Sequence, residues 1–259
     1  MKDIFDFRRF SKYFAYELNM AWKNCGLTLA VTCAMPIVFI LLNILFTSSI
    51  EVNGLSVGAR WFIAILASAI TVIAFPVKLY GNVTERREGS WWALIPVSTF
   101  EKFLSIFVMT CVVLPICFFG VYSAVDALVC LIPGYGEPLV SQYFKLGSSL
   151  TGYFTDFSSA SLFFELWFNF CAYVLTFTLG AVFFRKGKVS KTILAIIALS
   201  ILLTAIAVWG LGGYDFSDWE NIDSEELLSR MHVIQYIGYI LTDAILLTGI
   251  FFRLKTIKY

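Results

Sequence analysis

Phe103-Leu104-Ser105-Ile106-Phe107-Val108-Met109-Thr110-Cys111-Val112-Val113-Leu114-Pro115-Ile116-Cys117-Phe118-Phe119-Gly120-Val121-Tyr122-Ser123-Ala124-Val125 contains no Asp, Glu, Lys, Arg or His. About 20 helical residues cross the roughly 30 Å of hydrocarbon in a bilayer, so this run is long enough to span one. It can continue as far as Ile132. Comparable runs lie at Leu27–Phe46, Trp61–Tyr80, Leu162–Phe184, Thr192–Leu211 and Val233–Phe252. The chain is 59% hydrophobic and 14% charged, which sets it apart from soluble domains. None of the runs alternates between apolar and polar residues as a barrel strand would. The expected fold is all-α, an integral membrane protein with six transmembrane helices.

Orientation follows from the cations. Lys2, Arg8, Arg9, Lys12 and Lys23 precede the first run, while Lys78, Arg86, Arg87 and Lys102 surround the second connection. Arg185, Lys186, Lys188 and Lys191 separate the fourth and fifth runs, and Arg253, Lys255 and Lys258 follow the sixth. Only Arg60, Lys145 and Arg230 fall on the other side. The positive-inside rule then puts both termini in the cytoplasm. The opposite side carries Asp215, Asp218, Glu220, Asp223, Glu225 and Glu226.

Several function classes drop out. A cleavable signal peptide is not expected, because the first apolar run starts only at Leu27 and is too long for an h-region. The six cysteines lie in or beside the runs without C-x-x-C spacing, so they read as packing residues rather than a disulfide framework or zinc site. Glu225-Glu226-Leu227-Leu228-Ser229-Arg230 has the E-E-x-x-x-R form of an intramembrane glutamic protease, but that chemistry also needs histidines in later spans. His232 is the single histidine, so neither this protease nor a catalytic metal centre is expected.

Residues 1–26 form an amphipathic helix ahead of the six-span domain at 27–259. At 100° per residue, Phe7, Phe10, Phe14, Leu18 and Ala21 share one face, and Arg8, Arg9, Lys12, Tyr16, Asn19 and Lys23 the other. Such a helix lies in the interface, with its phenylalanines in acyl chains and its cations at lipid headgroups. It serves as a simple anchor, or as an elbow that braces the first span and touches a cytoplasmic partner.

The cytoplasmic segment at about 84–102 is built for more than a turn. Glu85, Arg86, Arg87 and Glu88 extend the second span as a solvated turn that Gly89 can close. Trp91 and Trp92 follow, either as interfacial anchors or in a partner's groove. Ser98-Thr99-Phe100-Glu101 fits a capping box, and Pro96 disfavours helix just before it. Phe100, Phe103, Leu104 and Phe107 then form one apolar stripe.

Glu85-Arg86-Arg87-Glu88-Gly89-Ser90, followed by Leu94-Ile95-Pro96-Val97-Ser98 and then Lys102, resembles the cytoplasmic segment of ABC-2-type permeases. There, a charged run and Gly-Ser or Gly-Thr precede Leu-x-x-Pro-x-Ser. Specific residues carry the likeness over about 25 positions, and the six-span layout carries it over the whole topology. The resemblance implies the membrane subunit of a bacterial exporter in the cytoplasmic (inner) membrane, a transport subunit rather than an enzyme. It would dimerise, as a homodimer or pseudo-symmetric heterodimer, and recruit separate ATPase subunits carrying ATP and Mg. This chain has no G-x-x-x-x-G-K-[ST] phosphate loop, so no cofactor is expected on it, and no nucleic-acid partner. The implied partner-binding residues are Glu85, Arg86, Arg87, Glu88, Glu101 and Lys102 as a rim, Trp91 and Trp92 as anchors, and Pro96 and Ser98 between them.

Polar residues inside spans are candidates for a transport path. Asp243 lies near the middle of the sixth, Glu165 and Asn169 share a face at the start of the fourth, and Asn43 lies late in the first. Each is equally an interhelical hydrogen-bonding group. Pro36 and Pro115 are expected to kink their spans. The external segments at about 126–161 and 212–232 are long for turns, and the second can contain a short helix at Ser224–Leu228. Two other readings stay open: a non-transporting assembly or immunity factor that binds a cytoplasmic partner through 84–102, and a secondary carrier. The carrier is disfavoured because no internal repeat is visible. A peptide, a lipid or a drug-like molecule would each suit the apolar, aromatic interior as substrate.

Overall fold

The computed structural model of the chain describes residues 5–47, 57–84, 94–132, 136–151, 159–211 and 224–256. All regular structure among them is helical. In chain order the α-helices are α1 (Phe7–Cys33), α2 (Met35–Thr47), α3 (Val57–Tyr80), α4 (Thr99–Val108), α5 (Leu114–Val129), α6 (Leu139–Thr151), α7 (Ser159–Phe183), α8 (Lys188–Leu211) and α9 (Ser224–Thr256). A π-helical turn, Met109–Val113, joins α4 to α5 without interruption. Among the described residues five stretches are long and apolar enough to cross a membrane, and α1 with α2 makes a sixth if that bent pair is one span.

Proline chemistry explains both irregularities in the early spans. Pro36 has no N–H for the carbonyl four residues back, and α1 and α2 meet beside it at a bend of 41°. Pro115 likewise withholds a hydrogen bond from the carbonyl of Cys111. The backbone there widens, and the Leu114 N–H reaches back to the Met109 carbonyl. The Cys171 thiol of α7 donates to the freed Cys111 carbonyl at 3.6 Å.

α7 is the hub, packed against α3, α6, α8, α9 and the π turn. Its Val174, Leu175, Thr178, Ala181 and Val182 are fully enclosed. Gly180 lets α8 come close. A Cβ there would overlap the Thr192 hydroxyl and stand 2.8 Å from its methyl carbon. The α7–α8 turn closes through Gly187, at φ +64°, a conformation open to glycine.

The helix ends refine the sequence reading. The helix begun at Phe7 runs without a break through residue 26 to Cys33. Ser224–Leu228 is the first part of the continuous helix α9 and not a separate short helix, because nothing between Ser224 and Thr256 interrupts the hydrogen-bond ladder. The long connection at 126–161 contains α6, which packs on α5 and α7. Residues 212–223 lie outside the described set.

Candidate functional site

At the start of α4 the expected capping box is present. Glu101 N–H donates to Ser98 Oγ at 3.2 Å, and Ser98 N–H donates to Glu101 Oε2 at 2.9 Å. Glu101 does more than cap. Arg9 donates to it from Nε at 2.8 Å and from Nη2 at 2.7 Å, and the Asp6 N–H donates to Oε1 at 2.9 Å. One carboxylate thus ties the start of α1 to the start of α4, its capacity filled by charge-assisted bonds. One turn along α4, Ser105 donates to the buried Glu17 of α1, with the Tyr80 hydroxyl of α3 beside it.

Two of the expected rim residues are enclosed within this chain. Glu101 and Lys102 are both buried, because α1 lies across them, and Glu101 is committed to its own chain. The apolar stripe of Phe100, Phe103, Leu104 and Phe107 remains exposed or half-buried, while Glu101, Lys102, Ser105 and Ile106 face inward. Pro96 is exposed and Ser98 half-buried. Glu85, Arg86, Arg87, Glu88, Trp91 and Trp92 lie outside the described residues.

At the opposite end Arg60 and Asp126 form a buried ion pair. Arg60 Nη2 donates to the two carboxylate oxygens at 2.7 and 2.9 Å, and Nη1 donates to the Glu137 carbonyl at 2.8 Å. The Leu139 N–H donates to Asp126 Oδ2 at 2.7 Å, so the carboxylate also caps α6. Sequence reasoning missed this pair. The signal was there: Arg60 stands at the start of one apolar run and Asp126 at the end of the next, so two antiparallel helices bring them to the same side. Near it, Lys145 donates to the exposed Glu137 at 2.5 Å and holds that carboxyl below its ordinary range, by hydrogen bond first and charge second.

Between α3, α5, α6 and α7 lies a cavity of about 990 Å³, open on one side. Glu165 and Asn169 both line it, so these two path candidates are brought together. The Asn169 amide donates to the Glu165 carbonyl at 3.0 Å. Asp243 stands elsewhere, on α9 near Cys111 and Cys171, with a buried Oδ1 that meets no hydrogen-bonding partner among the described residues. The side chain of Asn43 falls outside the described set. The cavity wall is rich in aromatic side chains. Phe119 packs on Phe170 and Trp167 with ring centroids 5.2 and 6.3 Å apart, and Trp61 on Tyr143 at 5.9 Å. No group of three or more His, Cys, Asp or Glu residues among those described is placed to hold a metal.

Comparison with family models, with curated proteins and with solved structures finds no match for this chain.

Proposed function

We propose that this chain is the membrane-spanning permease subunit of an ATP-driven exporter of ABC-2 type. It dimerises in a bacterial cytoplasmic membrane, with both termini on the cytoplasmic face and separate ATPase subunits docked at residues 84–102. The observation that carries the reading is the four-way tie at Glu101. Ser98 ends the irregular stretch after Pro96, and Glu101 fastens the helix that follows it to Arg9 and Asp6 of the N-terminal segment. A push on the connection is then delivered to α1 and to the span beginning at Thr99 as one rigid body, which suits conversion of ATPase closure into span movement. The distribution of lysine and arginine supports the orientation. The 990 Å³ cavity supports a cargo that is at least partly apolar.

The test is purification of the tagged chain from its native host, with identification of what accompanies it. The expected result is a stoichiometric phosphate-loop ATPase, lost in the Trp91→Ala/Trp92→Ala variant. A clean complex without an ATPase would overturn the reading and leave a membrane factor that binds another cytoplasmic protein through the same segment.

A further inference from the structure

We infer that the cavity between α3, α5, α6 and α7 is a slot for a glycerophospholipid, which enters from the side and lays its acyl chains along the helices. Shape is the first argument. The wall runs from Trp61 to Ile73 on α3 and from Phe163 to Phe177 on α7, about 18–21 Å at the rise of a helix. Half of the hydrocarbon of a bilayer is about 15 Å deep, so the slot has the length of one leaflet's acyl chains. Spread over that length, 990 Å³ gives a mean width of about 7 Å, room for two hydrocarbon chains side by side. A peptide helix is about 10 Å across and does not fit, and an extended peptide would bring backbone groups that find no partners there. Small side chains on α3, those of Ala64, Ser68 and Ala69, leave this room.

Polarity along the slot is the second argument. The apolar spans of α3 and α7 begin at Gly58 and Phe163, and that of α5 ends at Val129, so Trp61, Glu165 and Asp126 stand together at one membrane surface. Trp61 packs on Tyr143 of α6 there, and these two residue types suit headgroup depth. Both carboxylates of the described wall lie at this end and are engaged within the chain. Asp126 accepts from Arg60 and from the Leu139 N–H, and Glu165 is half-buried with contacts of its own. Neither calls for a charged ligand inside the slot. The far end is lined by Val72, Ile73, Ile116 and Phe177, with no charge among the described lining residues. One polar end and one apolar end are the outline of an amphiphile. The opening is the third argument. Ile65 of α3, Ile116 of α5 and Tyr173 of α7 line the slot and are exposed, on spans whose surround is hydrocarbon, so entry is lateral from the bilayer.

The slot rests on these helices spanning a membrane and not on the permease reading. The test is photolabelling of the purified chain in phosphatidylcholine vesicles doped with phosphatidylcholine that carries a diazirine at the end of one acyl chain. Adducts are mapped by peptide mass spectrometry. Label should concentrate on the deep wall, at Val72, Ile73, Ile116 and Phe177, and exceed that on Ile197 and Leu199, which are exposed on α8 outside the slot. A probe with the diazirine beside the glycerol should move the label to Trp61 and Tyr143. Ser68→Phe, which fills the slot from α3, should abolish the wall label and spare that on α8. Thermal unfolding checks that this variant is folded, and the comparison of wall with α8 needs no variant. Equal labelling of wall and α8, no shift between the two probes, or an unchanged wall label in folded Ser68→Phe would each overturn the proposal. Displacement of the wall label by excess oleate as effectively as by unlabelled phosphatidylcholine would overturn it too, in favour of a site for a single chain. No ATPase is present in this assay, so its failure and failure of the co-purification test are separate results.

Discussion

Arg9 and Glu101 are 92 residues apart in the chain and meet through paired bonds of 2.8 and 2.7 Å. Arg9 is 37% exposed and Glu101 fully enclosed, so the two partners are not equivalent. Glu101→Ala strips the acceptor from Arg9, Asp6 and Ser98 together, and is expected to destabilise the fold by about 3 kcal/mol. Arg9→Ala leaves the carboxylate its two backbone donors and should cost about 1 kcal/mol. Unfolding of the purified variants in mixed detergent measures the order. Equal losses would mean the node is not centred on Glu101.

The Arg60–Asp126 pair should respond differently to single and double substitution. Removing either partner strands a buried charge, at about 3–5 kcal/mol. Arg60→Met combined with Asp126→Leu should recover part of that loss, because no charge is then left unpaired, although the Leu139 N–H loses its acceptor. A double-mutant cycle in the same unfolding assay tests this, and strictly additive losses would contradict it.

Glu137 and Lys145 give the contrast. Their bridge is exposed, and such pairs contribute little. Glu137 is held below its ordinary range, so its contribution is present above the unfolded value of about 4.3 and is lost only as pH falls through the lower folded value. Melting at pH 7 and pH 5.5 should therefore not differ on account of this pair, and Glu137→Gln should leave the melt at pH 7 unchanged. A clear loss at pH 7 would show that the bridge holds α6 in place.

Gly180→Ala should be among the most damaging single-methyl additions in the chain. Its Cβ meets the Thr192 hydroxyl, a methyl carbon at 2.8 Å and the Cβ at 2.9 Å, all held on a packed helix. Thr192→Ala in the same chain should restore only part of the stability, since the residue 192 Cβ remains. Gly249→Ala, where the nearest atom is a Leu179 methyl at 3.4 Å, should be far milder. Expression level and melting temperature separate the two.

The helices and the start of α4 were easier to read than the contacts between helices. Length and hydropathy located the helices, and Ser98 with Glu101 located a helix start, because both signals are local. The buried face of α1 was not legible in the same way. Phe7 and Leu18 remain exposed while Tyr13, Glu17, Ala21 and Cys25 turn inward. In a lipid solvent apolar side chains gain nothing by facing the protein, and polar groups are drawn to one another, so the soluble-protein rule for choosing the inner face does not apply. The partners of Glu17 and Glu101 come from segments far apart in sequence, which no spacing within a run discloses. The cavity was half visible: Glu165 and Asn169 were noticed as polar, but the aromatic walls around them are assembled from separate helices.

The π turn at Met109–Val113 also sets a phase. Lys102, Ile106, Thr110, Leu114, Phe118, Tyr122 and Asp126, every fourth residue, are all buried. On an ideal α-helix each such step advances about 40° around the axis, so six steps would carry Asp126 well round from the side of Lys102. The surplus residue in the wide turn takes back about 100° of that drift. Deleting Val121, beyond the wide turn, would leave the capping box and the Arg9 contact in place, yet turn Asp126 by about 100° and out of reach of Arg60. The tolerable length of this span is therefore fixed by angle as well as by membrane thickness, and one residue less unlatches the far end while the near end stays closed.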